Sequence, residues 1–242
     1  MRIITLFVVT IVFLSDILAQ HIPLDKKDVP PHIEEIKITG TSQEFSNVEE
    51  ITQTKDGHIW LATNQGLVKY DGTDFTVYNV TNTENIFRSF TCLSVIEDDE
   101  GTLWVGTRPG LITVKNNVFS RYNDSVFHEI QVTKMCKDDK GNIYVGTLQK
   151  GLFRINPDKS LYKYPEPLED DIIFSLLYAD TTLWIGTTTH GLIRLKDEKF
   201  EYLKNISPHF SYEFRDAYKD RNGNYWFGSD QNGLVKYSNN KV

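Results

Sequence analysis

Cysteine and methionine are scarce in this 242-residue chain, with two of each. Two cysteines cannot build the dense disulfide framework of a small secreted scaffold. Positive charge is also short: 26 Lys and Arg stand against 33 Asp and Glu, a formal net charge of −7. No basic stripe exists to neutralise phosphates, which excludes a nucleic-acid partner. Beyond residue 19 no apolar run is long enough to span a bilayer. The six histidines show no metal-ligand spacing, and glycine-rich phosphate loops, nucleophile elbows and Cys-His arrangements are missing. The expectation is a chain with no metal, no cofactor and no catalytic residue of its own.

Hydrophobic residues, at 40%, and aromatics, at 12%, supply a packed core and exclude disorder. The opening "MRIITLFVVTIVFLSDILAQ" differs in kind from the rest. Arg2 gives a positive start, Ile3 to Leu14 an apolar core, and Ala19 a cleavage position, so residues 1–19 read as a secretory signal peptide. Residues 20–35 then form a lead segment, and 36–242 the folded domain, exported to the periplasm or beyond. Export permits a disulfide. Aligned on their turn glycines, however, Cys92 and Cys136 are offset by four residues, roughly 13 Å along a strand. A disulfide needs Cα atoms within about 7 Å, so two buried free thiols are expected.

One phrase recurs five times: "DGHIWLATNQGLVKY", "EGTLWVGTRPGLITV", "KGNIYVGTLQKGLFRI", "DTTLWIGTTTHGLIRL" and "NGNYWFGSDQNGLVKY". Trp60, Trp104, Tyr144, Trp184 and Trp226 are spaced by 44, 40, 40 and 42 residues. Each copy runs through an apolar segment, a polar turn, the aromatic strand, a short loop, a Gly-Leu strand and a final strand such as "DFTVYNV". Four short strands per unit of this length define a β-propeller blade. The aromatic strand is apolar on both faces, as a strand covered by neighbouring blades must be. Trp60 with Ala62, and Trp104, Tyr144, Trp184 and Trp226 with Gly106, Gly146, Gly186 and Gly228, set a large ring beside a missing side chain, so that another blade can approach. The fourth copy has Thr181 where the turn glycine should be, which implies a different turn geometry.

The pattern D-G-x-I-W-x-G-T-x-x-G-L-x-x-Y resembles the two-component regulator propeller repeat of bacterial sensor proteins, over residues 36–242. The resemblance implies a periplasmic sensor domain of the kind found in hybrid histidine kinases, several of which respond to oligosaccharides. Those sensors carry more repeats, a β-sandwich, a membrane span and a kinase, none of which follows here. The last copy stops at Val242 where its fourth strand should begin, and "EEIKITG" (34–40) is a strand-like segment ahead of the first full blade. The expected fold is therefore all-β: a β-propeller of five four-stranded blades, the fifth closed by the N-terminal strand.

Positions that vary between copies are the ones the architecture leaves open. The loops after the aromatic strand share one face with the connections between blades. That face offers Phe45, Gln65, Phe87, Arg88, Arg108, His128, Gln149, Lys150, His190, His209, Tyr212 and Asp230. Aromatic platforms, amides and a few charges suit a polar small molecule or an oligosaccharide, bound by stacking and hydrogen bonds. The plainer reading of each phenylalanine is a plug between blades. Turns such as "DDEG" and "DRNG" lack calcium-loop spacing, and their Asp and Asn serve their own backbone. Glu50 and Asp216 occupy equivalent inner-strand positions, and Asp171 and Glu213 lie at the top of equivalent strands, so a five-bladed glycosidase is a third, less favoured reading. The leading expectation is an exported ligand-binding sensor module that signals through an envelope or sensor-kinase partner. A protein-interaction scaffold of the cell envelope is the main alternative.

Overall fold

The computed structural model describes residues 47–165, 168–203, 213–230 and 233–238, all within the compact unit Ile38–Val242. The expected signal peptide, the lead segment and the closing strand 34–40 lie outside the described residues. The chain forms a five-bladed β-propeller. The first blade is β1 (Val48–Gln53), β2 (Ile59–Thr63), β3 (Gly66–Tyr70) and β4 (Phe75–Tyr78). The second is β5 (Cys92–Glu97), β6 (Leu103–Thr107), β7 (Gly110–Lys115) and β8 (Val118–Arg121), followed by the one-turn α1 (Asp124–Phe127). The third is β9 (Val132–Lys137), β10 (Ile143–Thr147), β11 (Leu152–Ile155) and β12 (Leu161–Lys163). The fourth is β13 (Ile173–Ala179), β14 (Thr182–Thr187), β15 (Leu192–Lys196) and β16 (Lys199–Tyr202). Among the described residues the fifth shows β17 (Phe214–Lys219), β18 (Tyr225–Ser229) and β19 (Gly233–Tyr237). Each blade is an antiparallel meander in chain order.

The recurring residues have recurring duties. In the second blade the Asp98 carboxylate accepts the amides of Glu100 and Thr102 at 3.0 and 2.8 Å, and the Trp104 indole N–H at 2.9 Å. Asp138 and Asp220 repeat the arrangement, Asp220 taking the Trp226 indole at 2.9 Å and Asp138 the Tyr144 hydroxyl at 3.3 Å. One acid thus shapes the turn and orients the aromatic ring, which occupies these carboxylates locally. Gly57, Gly101, Gly141 and Gly223 fill the left-handed turn position at φ of +76° to +92°. The fourth blade departs from this plan, as its missing glycine implied. Asp180 and Thr181 both take positive φ, 51° and 58°, making the two-residue hairpin turn whose twist suits the strands. That shortening removes the acid, and the Trp184 indole nitrogen is buried with no hydrogen-bond partner among the described residues.

The core lies between blades rather than inside any one of them. Trp60, Ala62 and Leu67 pack with Cys92, Val95 and Val105 of the second blade, and the pattern continues around the ring. A Cβ added to Gly106 would stand 2.6 Å from Val132, one on Gly146 2.7 Å from Ile173, and one on Gly186 2.6 Å from the Phe214 carbonyl. The small residue opposite each ring is therefore a seat for the next blade. Among the described residues, nothing lies within 4 Å of a Cβ placed on Gly228. Both cysteines are free, with Cys92 fully buried and Cys136 half-buried.

Two outcomes follow. Gly186→Val, measured by urea unfolding, should cost about 3 kcal/mol through overpacking, while Gly228→Val should be near neutral. Burial pushes the Asp98 carboxyl up, but the Trp104 indole, the Thr102 amide and Lys159 outweigh it and hold it below the usual range. Its contribution is present above the unfolded value, about 3.9, and is lost as pH falls through the lowered folded value. Asp98→Ala should remove about 2 kcal/mol at neutral pH and flatten the acid limb of the melting profile.

Candidate functional site

The loop face is built by the same economy of repetition. Thr63, Thr107, Thr147 and Thr187 end their aromatic strands fully buried. Their hydroxyls donate to the carbonyls of Gly66, Gly110, Gly151 and Gly191 at 2.8 to 3.2 Å. Backbone bonds then tie each loop to the start of the inner strand: Asn64 to Asn47, Arg108 to Thr91, Leu148 to Gln131, Thr188 to Ile172 and Asp230 to Glu213. With the loop backbones held in this way, the side chains that differ are presented around the axis on one face.

Arg108, His128, Gln149 and Lys150 are exposed, and Gln65, Arg88, His190 and Asp230 half-buried. Arg88 shares an open pocket of about 620 Å³ with Phe90 and Arg121. His128 and Lys150 share a second of about 590 Å³, where His128 lies 2.5 Å from Glu129. Phe87 is a correction. It is 2% exposed and packs among the residues joining the first and second blades, so its ring plugs that joint instead of standing as a platform. Phe45, His209 and Tyr212 lie outside the described residues.

A polar cluster spans the fourth and fifth blades. Asp171 is 5% exposed, and its carboxylate takes the Thr188 hydroxyl at 3.0 Å and the amides of Ile172 and Thr189 at 2.9 and 3.3 Å. The His190 Nδ1 lies 2.9 Å from it, and the Asp171 carbonyl accepts the Gly151 amide at 3.1 Å. One residue therefore meets two loops, the carboxylate holding 188–190 and the main-chain carbonyl holding Gly151. Burial raises the Asp171 carboxyl, yet hydrogen bonds from His190, Thr188 and Thr189 more than offset this and leave it lowered. Across the joint, the Arg215 guanidinium makes a two-pronged pair with Asp230, at 2.9 and 2.6 Å, and reaches Glu213 at 2.9 Å. It lies 3.7 Å from the Phe174 ring centroid, an arginine stacked on an aromatic platform.

Arg215 and Phe174 escape a reading of loops alone because they sit on strands. Every inner strand has a β-bulge at the same place, leaving Glu49, Leu93, Thr133, Phe174 or Arg215 unpaired beside the axis. The break in strict alternation is the signal for it, and it shows only once the register is known.

Deeper on the axis, Glu50, Ser94, Lys134, Ser175 and Asp216 occupy one register position. Both Glu50 oxygens are engaged: Oε2 accepts the Ser94 hydroxyl at 2.6 Å and the Val95 amide at 2.8 Å, and Oε1 lies 2.8 Å from Lys134 Nζ. Burial works against the Lys134 charge, but the charges of Glu50 and Asp216 prevail and raise it. The chemistry here is an internal ion pair tying the first blade to the third. Its geometry does not leave Glu50 available as an acid or nucleophile.

No family model and no curated protein matches this sequence. The fold is shared with solved structures. At 24% identity and a TM-score of 0.67, 82% of the chain superposes on 30% of an extracellular domain assigned to a hybrid two-component system of B. thetaiotaomicron. Virginiamycin B lyase of Staphylococcus aureus, crystallised with quinupristin, matches at 12% identity and a TM-score of 0.66, over 84% of this chain and 70% of that one. PorZ, a surface component of the type-IX secretion system of Porphyromonas gingivalis, matches at 14% and 0.62, over 83% and 34%. The propeller expected from the repeat resemblance is thus the fold of extracellular sensor domains, and enzymes share it too. The chain spans under a third of the first of these structures.

Asp171→Ala should cost about 2 kcal/mol and speed amide exchange at residues 188–190, with the Gly151 amide, held by the residue-171 main-chain carbonyl, less affected. Unchanged exchange at 188–190 would show that the carboxylate does not hold that loop. In the native chain the order it gives persists above about pH 4 and is lost as pH falls through its lowered value.

Proposed function

We propose that this protein is an exported sensor propeller that binds an oligosaccharide or another polar ligand on its loop face and passes the signal to a partner kinase or envelope protein. The observation that carries the reading is the contrast between repeated and unrepeated positions. Repeated residues are consumed by turns, seats and loop seals. The unrepeated Arg108, Gln149, Lys150, His190 and the Phe174–Arg215 stack gather on one preformed face. Extracellular sensor domains of the same fold support the sensing role. Residues 1–19 provide the export signal. Catalysis is not proposed, because Glu50 is held in an internal ion pair and the Asp171 carboxylate is engaged by Thr188, Thr189 and His190.

The second reading is a surface scaffold, favoured by the likeness to PorZ, itself a component of a secretion system. Calorimetry against a panel of neutral and acidic glycans separates the two. Micromolar to millimolar binding is expected, weakened about tenfold by Lys150→Ala and by Arg215→Ala, with no glycan cleaved. Absence of binding across the panel, together with stable capture of one envelope protein, would replace the sensor by the scaffold.

A further inference from the structure

The contact between Asp171 and His190 has a direction, donor to acceptor, that decides what the histidine can offer a ligand. The two oxygens of the Asp171 carboxylate are used unequally. Oδ1 accepts three bonds, from the amides of Ile172 and Thr189 at 2.9 and 3.3 Å and from the Thr188 hydroxyl at 3.0 Å. Among the described residues Oδ2 meets only the His190 ring, 2.9 Å from Nδ1. Burial raises the Asp171 carboxyl, but its hydrogen bonds hold it below the usual range. It is therefore ionised at neutral pH and can only accept. The proton between the two groups sits on Nδ1, and the neutral ring carries a bare lone pair on Nε2.

The ring is held in position as well as in protonation. The His190 backbone amide donates to the Thr187 hydroxyl at 3.0 Å, and the Tyr202 ring centroid lies 5.5 Å from that of the imidazole. The His190 side chain is 25% exposed and its carboxylate partner 2%. Among the described residues Nε2 has no hydrogen-bond partner. The other two described histidines differ in this respect. His58 pairs with Asp56 and His128 with Glu129, carboxylates that are 64% and 81% exposed, where water competes for the bond. Only at His190 does a buried anion fix the tautomer while the second nitrogen stays open.

We infer that His190 is a ligand-binding residue that accepts a hydrogen bond at Nε2 from a ligand hydroxyl, and that Asp171 is the positioning residue that fixes this sense. The inference rests on the binding role proposed above. Nitrogen-15 correlation spectra of the full chain at about pH 8, above the ordinary imidazole range, should place the His190 proton on Nδ1. Asp171→Asn keeps the shape, and its carboxamide oxygen must stay at the Oδ1 position to serve three donors. Its amide then donates to Nδ1, and the ring proton moves to Nε2. Calorimetry takes oligosaccharides of xylan, mannan, arabinan and polygalacturonate as probes, each hydroxyl of a binding probe being replaced in turn by fluorine, which cannot donate. One replacement should weaken binding about tenfold. That penalty should vanish in His190→Ala and shrink in Asp171→Asn. His190→Ala leaves the three Oδ1 bonds in place, so this arm stands even if the Asn variant loses its fold. A proton on Nε2 in the native chain would overturn the inference. So would a probe that binds with every fluorine penalty unchanged in His190→Ala. Binding by none of the probes would overturn the sensor reading itself, and the role of His190 with it, whatever the tautomer.

Discussion

The molecule depends on the seating of one blade's inner strand over the small residue of the blade before it. Ala62, Gly106, Gly146 and Gly186 lie across from Cys92, Val132, Ile173 and Phe214, and no blade has an adequate core without that contact. A two-sided apolar strand such as "LWVGT" would be a liability in an isolated sheet, because one face would meet water. Stacking turns both faces inward. The aromatic ring and the absent side chain form a single device: the ring supplies area and the gap lets backbones close on it.

This division of labour frees the loop face. Threonine hydroxyls and backbone bonds close each loop beneath the surface, and the turn acids work at the opposite end of the sheet. Side chains such as Gln149 and Lys150 answer to no packing demand, and that is where ligand chemistry has room. The axial ring shows the opposite economy. Glu50, Ser94 and Lys134 look on paper like a chance collection of polar residues, yet they bind one another and the backbone amides of neighbouring blades.

Fold was legible because the repeat states it five times over, and Thr181 marked the one turn that departs. The site was less legible, for reasons that differ by residue. Phe87 lies in a connection, and nothing in its neighbours says whether it faces out or plugs a joint; packing decides, and it plugs. Arg215 and Phe174 lie in strands, where alternation predicts a side chain on one face or the other. A bulge sends them to the axis instead. Lys134 reads as an ordinary strand lysine until the register sets it opposite Glu50. Contacts between repeats far apart in sequence are what a single chain of letters cannot display.

The turn acids have a consequence for how the chain reaches this structure. Asp98, Asp138 and Asp220 make their bonds within a few residues, so each hairpin can close before any distant partner arrives. The seats are joints between consecutive blades only. Ordering can therefore start at whichever blade forms first and spread outward one neighbour at a time, in the manner of a one-dimensional chain. The fourth blade has no such acid for its indole. Its Trp184 packs on Phe227 and Tyr237 of the following blade, so it would report the docking of the fourth and fifth blades.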